Sequence, residues 1–343
     1  MKIIVLTDYK NHFETKFTAS PYRSGMDKKA LSLYFSELGI EIEFKNFHQL
    51  DFDNQEIKKN YFLYTSSEDI DGFYKSYIED IVYGISLSGG IPIPEYKYLK
   101  AHHNKVFMEI LRSQSSLETI KNIKSKHFGT LEEYQIGRDK SFTDPVVVKP
   151  AGGSMSKGVT LNKTENETKK SIGLISKSRN IYQDVKDYLR RFKHKGYISN
   201  SRNRKKFITQ DYVEDLKGDW KILIYSNKYY VLKRENREGD FRASGGGKLS
   251  YTREVPKELL SFSEQIYLSL KVPNVSLDIC IKDNQYYLIE FQANYFGTYT
   301  IEFSEFYFER NKDIWKIKEE RSILEKVYAE SIAEHINKIK NNV

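Results

Sequence analysis

The sequence predicts an α/β domain with a parallel sheet, followed by a longer α+β region. Residues 1–98 alternate between strand-like and helix-like segments, an order that gives parallel strands joined by crossover helices. Residues 144–158 read as a β-branched strand that ends on a lysine and opens into a glycine-rich loop. Residues 276–294 read as a hairpin of two strands. At 343 residues the chain is too long for one small core and fits two or three subdomains.

The elements of the N-terminal region follow from apolar runs and from helical spacing. Between Ser24 and Gly39, apolar residues fall on one side of a helix, and Gly39 is a suitable C-terminal stop. The other predicted elements here are strands at Lys2–Thr7, Ile40–Phe47 and Tyr61–Thr65, a helix at Tyr74–Ser88 and an extended segment at Ile91–Pro94. Because parallel sheets bind ligands at the carboxyl ends of their strands, the loops after the first and third strands form a candidate binding rim.

This rim carries the candidates for an acceptor-substrate site. Arg23 lies in the loop that follows the first strand, and Glu68 and Asp69 lie in the loop that follows the third. We expect these charged side chains to contact a substrate. For each of them, a solvated loop residue is an equally good interpretation.

A phosphate site is indicated where the strand at Val146–Lys149 runs into the loop at Gly152–Gly158. The strand holds the lysine ammonium in place, and a glycine loop can turn bare backbone N–H groups toward an anion. The lysine precedes the glycines here, whereas a Walker loop has the opposite order. Taken alone, the pattern also fits a plain turn between two strands.

The hairpin in the second half of the chain predicts a metal site. Asp278 lies in its first strand, and Glu290 and Gln292 lie two residues apart in its second strand, so the latter two share one face. Carboxylate and amide oxygens suit Mg²⁺, which takes its other ligands from water and substrate phosphate. The alternative is a polar strand end in solvent. A phosphate loop upstream favours the metal site.

Composition excludes several classes of protein. Hydrophobic residues make up 39% and aromatic residues 14% of the chain, which excludes a disordered protein. No apolar run approaches the length of about 18 residues that a membrane span needs. The lone cysteine, Cys280, excludes an internal disulfide framework and reads as a core residue. Residues 1–10 read as a strand and not as a signal peptide, so we expect a cytoplasmic protein with no membrane partner.

Residues 190–206 are strongly basic and account for much of the net charge of +8. They could be a solvated face, a collar that attracts an anionic substrate, or a nucleic-acid contact, and the last is the least favoured. Residues 319–342 have apolar side chains near helical spacing. They predict an amphipathic helix that packs on the core or forms a homodimer interface.

The lysine strand, the element at 239–248 and the carboxylate hairpin occur in the order found in the ATP-grasp superfamily. The chain resembles the branch that contains glutathione synthetase and the ribosomal-protein glutamate ligase, over roughly residues 100–300. The resemblance implies an N-terminal parallel α/β pre-ATP-grasp domain at 1–98 and a two-subdomain ATP-grasp domain at 99–343, with a smaller lid subdomain at 144–213 and a central and C-terminal subdomain at 214–343.

The resemblance implies an ATP-dependent carboxylate–amine ligase that uses ATP and Mg²⁺. In such enzymes ATP phosphorylates a carboxylate, and an amine then displaces phosphate to leave an amide, with ADP as the other product. The substrates would be a small-molecule, peptide or saccharide carboxylate and an amine acceptor, either of which can be anionic. An ATP-dependent phosphotransferase on the same fold and a nucleotide-binding protein without turnover stay open as alternatives.

The family's functional positions are matched residue by residue. Those matched to nucleotide binding are Lys105, Lys149, Gly152, Gly153, Ser154, Ser156, Gly158, Gln210, Val213 and Asp219. Those matched to catalytic roles are Lys149, Lys221 and Arg242, and those matched to metal ligands are Asp278, Glu290 and Gln292, with Asn294 as a substitute ligand. By this match Lys105 and Lys149 reach phosphate, Gln210 and Val213 lie at the adenine edge, Asp219 holds the ribose or supports the site, and Arg242 lies over the transferring phosphoryl group.

Two positions depart from the family pattern. Gln292 stands where the metal motif usually has asparagine, so the amide oxygen is kept on a longer stem. Lys221 stands where arginine is common, so the charge is kept but the planar fork is lost. Neither change argues for an inactive enzyme.

Overall fold

The computed structural model describes residues 1–53, 55–137, 145–153, 156–236, 242 and 248–341. The chain divides into two compact units. Unit 1 contains Met1–His102 and Leu216–Val343, and unit 2 contains His103–Asp215. In sequence, unit 2 is therefore an insertion between the two halves of unit 1. The subdomain boundaries implied by the resemblance stay predictions.

The first half of unit 1 is the predicted parallel α/β domain. Its elements are β1 (Lys2–Thr7), α1 (Lys28–Glu37), β2 (Glu41–Asn46), β3 (Tyr61–Tyr64), α2 (Phe73–Leu87), β4 (Ile91–Ile93) and α3 (Tyr96–Ala101). The strand order is β2-β1-β3-β4, and every pair is parallel. Helix α1 begins later than the expected residue Ser24, because the Asp27 carboxylate caps it by accepting from the amides of Lys29 at 2.8 Å and Ala30 at 3.2 Å.

Strand β1 is buried on both faces. Ile3 and Val5 face a core that also contains Phe35 of α1, whereas Ile4 and Leu6 face a core with Val82 of α2. Burial of each such aliphatic side chain stabilises the fold by about 1.5–3 kcal/mol. Coverage by a helix on each side is the reason that β1 reads as a continuous apolar run.

The loop that connects β1 to α1 is fixed to distant parts of unit 1. Lys16 donates to the buried Glu325 at 2.7 Å, and Glu302 accepts from the amides of Phe17 at 2.7 Å and Thr18 at 2.9 Å. Gly25 has φ of +77°, and a Cβ there would lie 2.3 Å from the carbonyl oxygen of Phe13, so no side chain fits. These contacts therefore hold the loop in one position within unit 1.

Unit 2 is an α+β unit. Its elements are α4 (Lys105–Ser113), β5 (Ser125–Phe128), α5 (Leu131–Gly137), β6 (Val146–Pro150), β7 (Thr160–Asn162), α6 (Glu165–Ile175), α7 (Ile181–Lys193) and β8 (Phe207–Asp211). The strands form an antiparallel sheet in the order β5-β8-β6-β7. Val146, Val148, Ile172 and Phe207 contribute to its core.

The sequence also predicts one helix from about Lys100 to Leu111, and this prediction is wrong. Helix α3 ends at Ala101 and α4 begins at Lys105. His103 has φ of +53°, which no right-handed helix contains, and the Asn104 side chain caps α4 by accepting from the amide of Phe107 at 3.4 Å. The break places Lys105 in the first turn of a new helix.

The second half of unit 1 is built on an antiparallel sheet. Its elements are β9 (Gly218–Tyr225), β10 (Lys228–Glu235), β11 (Leu249–Ser250), α8 (Lys257–Leu270), β12 (Asn274–Lys282), β13 (Gln285–Gln292), α9 (Tyr299–Phe303), β14 (Tyr307–Asn311), β15 (Ile314–Lys318) and α10 (Leu324–Asn341). The strand order is β13-β12-β9-β10-β14-β15, with β11 paired to β10. The predicted hairpin is confirmed as β12–β13, and Cys280 is buried in it as expected.

Helix α10 packs on the core of unit 1. Val327, Ile332 and Ile336 are buried in the same core as Ile3 of β1 and Leu223 of β9. Packing of the C-terminal helix on the core is thus confirmed. The fold class predicted from the sequence, a parallel α/β domain with a further α+β region, is confirmed as well. Within the residues that the structure describes, no helix has the length and apolar character needed to cross a membrane.

Candidate functional site

Unit 2 holds Lys149 as a buried cation. Lys149 lies on β6, and its Nζ donates to Oε1 of the buried Gln210 on β8 at 2.5 Å. Antiparallel pairing of Lys149 with Ile208 puts Lys149 and Gln210 on one face of the sheet. A buried ammonium is costly without partners, so the amide oxygen both stabilises Lys149 and sets its direction.

The same glutamine is held from behind by an acidic side chain that the sequence reading missed. Gln210 Nε2 donates to Glu109 Oε1 at 3.4 Å, Ser125 Oγ donates to Glu109 Oε2 at 2.6 Å, and Arg112 lies 3.4 Å from the same carboxylate. Glu109 stands at helical spacing from the other buried residues of α4, and this spacing could have identified it in the sequence. The network makes Gln210 a positioning residue for Lys149.

Lys105 and the start of the glycine loop are fixed to each other. The Lys105 amide donates to the carbonyl of Ala151 at 2.8 Å, and Lys105 Nζ donates to the carbonyl of Gly153 at 3.1 Å. Gly153 has φ of +115° and Gly158 has φ of +77°, so both use backbone conformations that glycine adopts without strain. Lys105 therefore lies beside Gly153 at the start of the loop, and its contact with a nucleotide stays a prediction.

The other residues predicted to bind the nucleotide or the transferring phosphoryl group lie as follows in the structure. Strand β8 ends at Asp211 and not at Val213, which is half-buried beyond the strand. Ser156 has φ of +55° in the turn that leads to Gly158. Ser154 lies outside the described residues, as do the glycines at 245–247. Arg242 is half-buried between segments that are not described.

Unit 1 carries a charged cluster on one face of its antiparallel sheet. Strand register pairs Asp278 with Glu290 on one side and with Lys221 on the other. Lys221 Nζ donates to Ser276 Oγ at 2.8 Å and lies 3.6 Å from Asp278 Oδ1. Residues that pair directly across strands point to the same face, so the predicted Lys221, Asp278 and Glu290 are brought together.

Arg234 of β10 completes this cluster and was missed by the sequence reading. Its guanidinium binds Asp219 through two bonds of 2.5 and 2.6 Å, and Nη2 lies 2.8 Å from Asp278 Oδ2. Arg234 and Asp219 are both at least nine-tenths buried. One planar guanidinium thus holds two carboxylates at fixed positions. Asp219 is held by Arg234, and no contact of a ribose is needed to explain its burial.

The carboxylates of the cluster titrate differently. Burial and the neighbouring charge of Asp278 raise the pKa of Asp219 to about 6. Burial also opposes ionisation of Asp278, but Arg234 and Lys221 hold its pKa below the ordinary value. The structure therefore keeps a negative charge on Asp278, the residue predicted to contact the metal.

The donor set fits a magnesium ion that takes much of its coordination from outside the protein. Asp278 and Glu290 offer carboxylate oxygens, and Gln292, whose Nε2 donates to Glu290 Oε1 at 3.0 Å, lies beside them. Among the described residues, no group of three or more His, Cys, Asp and Glu side chains is arranged to hold a metal. Two carboxylates and an amide are nevertheless a normal protein share for Mg²⁺, which retains waters and binds substrate phosphate.

Asn294, the predicted substitute ligand, lies two residues beyond the end of β13. It is 3% exposed, and within the described part of the chain neither of its amide atoms has a hydrogen-bond partner. It lines a cavity of about 10 Å³, the space of one water-sized group, together with Glu14 and Tyr225.

Glu14 is the carboxylic acid among the residues that line this cavity. It lies in the β1–α1 loop with φ of +50°, and its amide donates to Thr65 Oγ1 at 3.1 Å. Burial raises the pKa of Glu14 to about 8. The carboxyl is therefore protonated near neutral pH and can donate a hydrogen bond inside the cavity.

Glu14 should give the protein a distinct pH dependence. The folded chain keeps this proton up to about pH 8, whereas the unfolded chain loses it near 4.5, so the free energy of unfolding falls as pH rises through that window. We expect Glu14→Gln to remove this component. Urea unfolding at several pH values measures it, with the exposed change Glu37→Gln as control. Parallel pH profiles for wild type and Glu14→Gln would contradict the assignment.

The three substrate candidates have unlike surroundings. Asp69 accepts from the amides of Tyr74 at 2.9 Å and Lys75 at 3.0 Å, so its oxygens serve the start of α2. Glu68 lies 3.7 Å from Nε2 of the buried His102. Arg23 has φ of +63° and lies over the ring of the exposed Tyr22, 5.2 Å from its centroid. Asp69 thus has a structural explanation, and Glu68 and Arg23 stay candidates.

No protein-family model matches the chain, and no curated protein matches it either. Among solved structures it is similar to the D-cycloserine synthetase DcsG, with 11% identity and a TM-score of 0.52 over 98% of this chain and 100% of that one. It is also similar to glycinamide-RNase-transformylase T from Mycobacterium tuberculosis, with 9% identity and a TM-score of 0.51 over 97% of this chain and 80% of that one. A RimK domain protein of ATP-grasp type from Sphaerobacter thermophilus DSM 20745 has 10% identity and a TM-score of 0.47, over 85% and 90% of the two chains.

At such identities the likeness concerns the fold, and it extends over nearly the whole chain for the first two structures. Of the sheets in this fold, the sequence predicted the parallel N-terminal sheet, the strand that carries Lys149 and the hairpin that carries Glu290. The chain therefore shares the fold of these two solved structures.

Proposed function

We propose that the protein is an ATP-dependent carboxylate–amine ligase. The observation that carries the proposal is that one chain presents a buried lysine beside a glycine loop and, in its other unit, a carboxylate pair backed by buried cations. Phosphoryl transfer needs charge neutralisation and positioning more than a nucleophilic side chain. These residues offer both.

The residues of unit 2 are proposed to bind the nucleotide. Lys149 is held by the side chain of Gln210, and Lys105 Nζ donates to the carbonyl of Gly153. Both ammonium groups can neutralise phosphate oxygens, and the loop backbone can donate N–H groups to them. Gln210 is then a positioning residue whose amide keeps Lys149 aligned before ATP binds.

The residues of unit 1 are proposed to hold Mg²⁺ through Glu290, Asp278 and Gln292. When bound, the ion neutralises charge on the phosphates as the γ-phosphoryl group leaves ADP for the substrate carboxylate. Arg234 and Lys221 keep Asp278 ionised and fix its direction, and Arg242 is proposed to face the transferring group. The amine then attacks the acyl carbon, phosphate leaves, and the amine gives up a proton.

The first test is ATP turnover with Mg²⁺ against a panel of amino acids, small peptides and uronic acids, read by mass spectrometry. Condensation of a carboxylate and an amine with loss of water, together with ADP and phosphate, would support the ligase. A phosphorylated product without condensation would replace the ligase with a phosphotransferase. Tight ATP binding without ADP formation across the panel would favour a nucleotide-binding protein.

Glu290 provides a test of the metal site. We expect Glu290→Ala to raise the Mg²⁺ concentration that half-saturates ADP formation by about 10- to 100-fold, since a ligand or its close support is lost. Glu309→Ala, on β14 of the same sheet, is the control. An unchanged Mg²⁺ requirement in Glu290→Ala would remove that residue from the metal site while leaving ATP binding by unit 2 open.

A further inference from the structure

Helix α7 of unit 2 turns its apolar side toward solvent. Its apolar residues lie between 54% and 78% exposed, and they are Ile181, Tyr182, Val185, Tyr188, Leu189 and Phe192. Their spacing of one, four, seven, eight and eleven residues places them on a single face of the helix. We call this surface the α7 apolar face. Ile198, in the segment that follows, is 89% exposed.

Polar contacts hold the opposite side of the helix to the rest of unit 2. Asp187 is 7% exposed and accepts from the hydroxyl of Tyr197 at 2.7 Å and from Arg190 at 3.0 Å. Asp184 pairs with Arg179 at 3.1 Å and with Arg202 at 3.4 Å. A surface helix normally buries its apolar stripe and exposes its charges. In α7 the apolar stripe is exposed, and its buried residue, Asp187, is charged.

The surroundings of the α7 apolar face are strongly basic. Residues 176–206 contain eleven Lys and Arg against two Asp, a net charge of +9, whereas the whole chain carries +8. Lys186 and Lys193 lie at one edge of the apolar face on the helical wheel, and Arg191 lies at the other. The basic stretch noted in the sequence is thus attached to an exposed apolar surface.

We propose that the α7 apolar face is a docking surface for an anionic lipid bilayer. A helix with a narrow apolar face and flanking lysines and arginines is the type that lies in the plane of a membrane interface. Each basic residue near an anionic leaflet adds attraction, and the apolar side chains enter the boundary between headgroups and acyl chains. This peripheral contact departs from the expectation that no membrane is a partner.

Charge argues against a second copy of the chain as the occupant. Two such faces in contact would bring net charges of +9 together across an apolar seam. An acidic peptide would also satisfy the charges, but it would have to present an apolar surface that matches the shape of α7. A bilayer interface can adapt its shape to the helix. The bilayer is therefore the occupant that both the exposed apolar side chains and the surrounding charge favour.

The test is co-sedimentation of the full chain with vesicles. Vesicles of equal parts phosphatidylglycerol and phosphatidylcholine are compared with vesicles of phosphatidylcholine alone. The paired change Leu189→Gln with Phe192→Gln removes apolar groups without altering charge, and Lys186→Gln with Lys193→Gln removes charge at the edge. The matched control is Leu87→Gln with Leu268→Gln, two exposed apolar residues of unit 1. Circular dichroism confirms that each variant is folded.

We expect the wild type to sediment with the anionic vesicles and to stay in solution with the neutral ones. The apolar pair should lower the partition coefficient roughly tenfold or more, because several buried CH₂ groups are lost. The lysine pair should lower it and weaken its salt dependence, and the control should match wild type. Absence of wild-type binding to anionic vesicles, equal loss in the control, or full binding by the apolar pair would overturn the proposal. Binding to an acidic amphipathic peptide without binding to vesicles would make the occupant a protein.

Discussion

Lys149→Ala is expected to lower the turnover number for ADP formation by about 10²- to 10³-fold, the usual cost of removing a positioned charge that stabilises a transition state. Lys149 is buried and already aligned by Gln210, so the substitution removes an ammonium group that is fixed in place on β6. Steady-state kinetics with the substrate pair found by mass spectrometry measures the effect.

The exposed change Lys163→Ala in the same unit is the control for Lys149→Ala. A second variant, Gln210→Met, separates alignment from charge. It keeps the ammonium but removes the amide oxygen 2.5 Å from it, so a smaller fall in turnover is expected. Turnover by Lys149→Ala at the wild-type rate would remove Lys149 from the mechanism and with it the main support for the ligase proposal.

Arg234→Met is expected to lower the free energy of unfolding by about 3–5 kcal/mol, because it leaves the buried carboxylates of Asp219 and Asp278 without their shared cation. The matched control is Arg253→Met. Arg253 also forms two bonds with one carboxylate, Glu319, at 2.8 and 2.7 Å, but that pair is exposed. Water already solvates an exposed pair, so its loss should matter far less. Urea unfolding measures both.

Adding Asp219→Asn to Arg234→Met is expected to restore part of the lost stability. The double variant removes one of the two carboxylate charges that the loss of Arg234 leaves without a cation. Equal destabilisation by Arg234→Met and Arg253→Met would contradict the picture of a charge cluster sustained by one buried guanidinium. The same measurement made with Mg²⁺ present would show whether an added cation at Glu290 and Asp278 compensates for the missing one.

The elements that sequence patterns predicted are those whose side chains decide their structure locally. Strand β1 matches its expected limits of Lys2 and Thr7, because both of its faces are apolar. The β12–β13 hairpin follows from alternation and a polar turn, which places Asp278 opposite Glu290 without reference to the rest of the fold. The position of Lys149 in the site could also be predicted locally, because a charged residue at the end of a β-branched strand is unusual.

The features that were missed depend on contacts between distant parts of the chain. Arg234 lies 15 residues from Asp219 and 44 from Asp278 in sequence, and strand register alone brings it to both. The cavity formed by Glu14 and Asn294 joins residues 280 positions apart. The break at His103 between α3 and α4 rests on a backbone conformation that periodicity does not reveal. Local propensity cannot anticipate such tertiary constraints.

Insertion of unit 2 between the halves of unit 1 has a consequence for synthesis on the ribosome. Residues 103–215 can form their own core as soon as they emerge, whereas the core around Ile3 and Phe35 also needs Val327 and Ile332, which are translated about 300 residues later. At about 5–20 residues per second, the interval from Phe35 to Ile332 is roughly 15–60 s. During that time the core on the α1 side of the first sheet lacks the side chains that α10 contributes. The nascent chain is therefore most open to aggregation, and to binding by chaperones, at its N-terminal end.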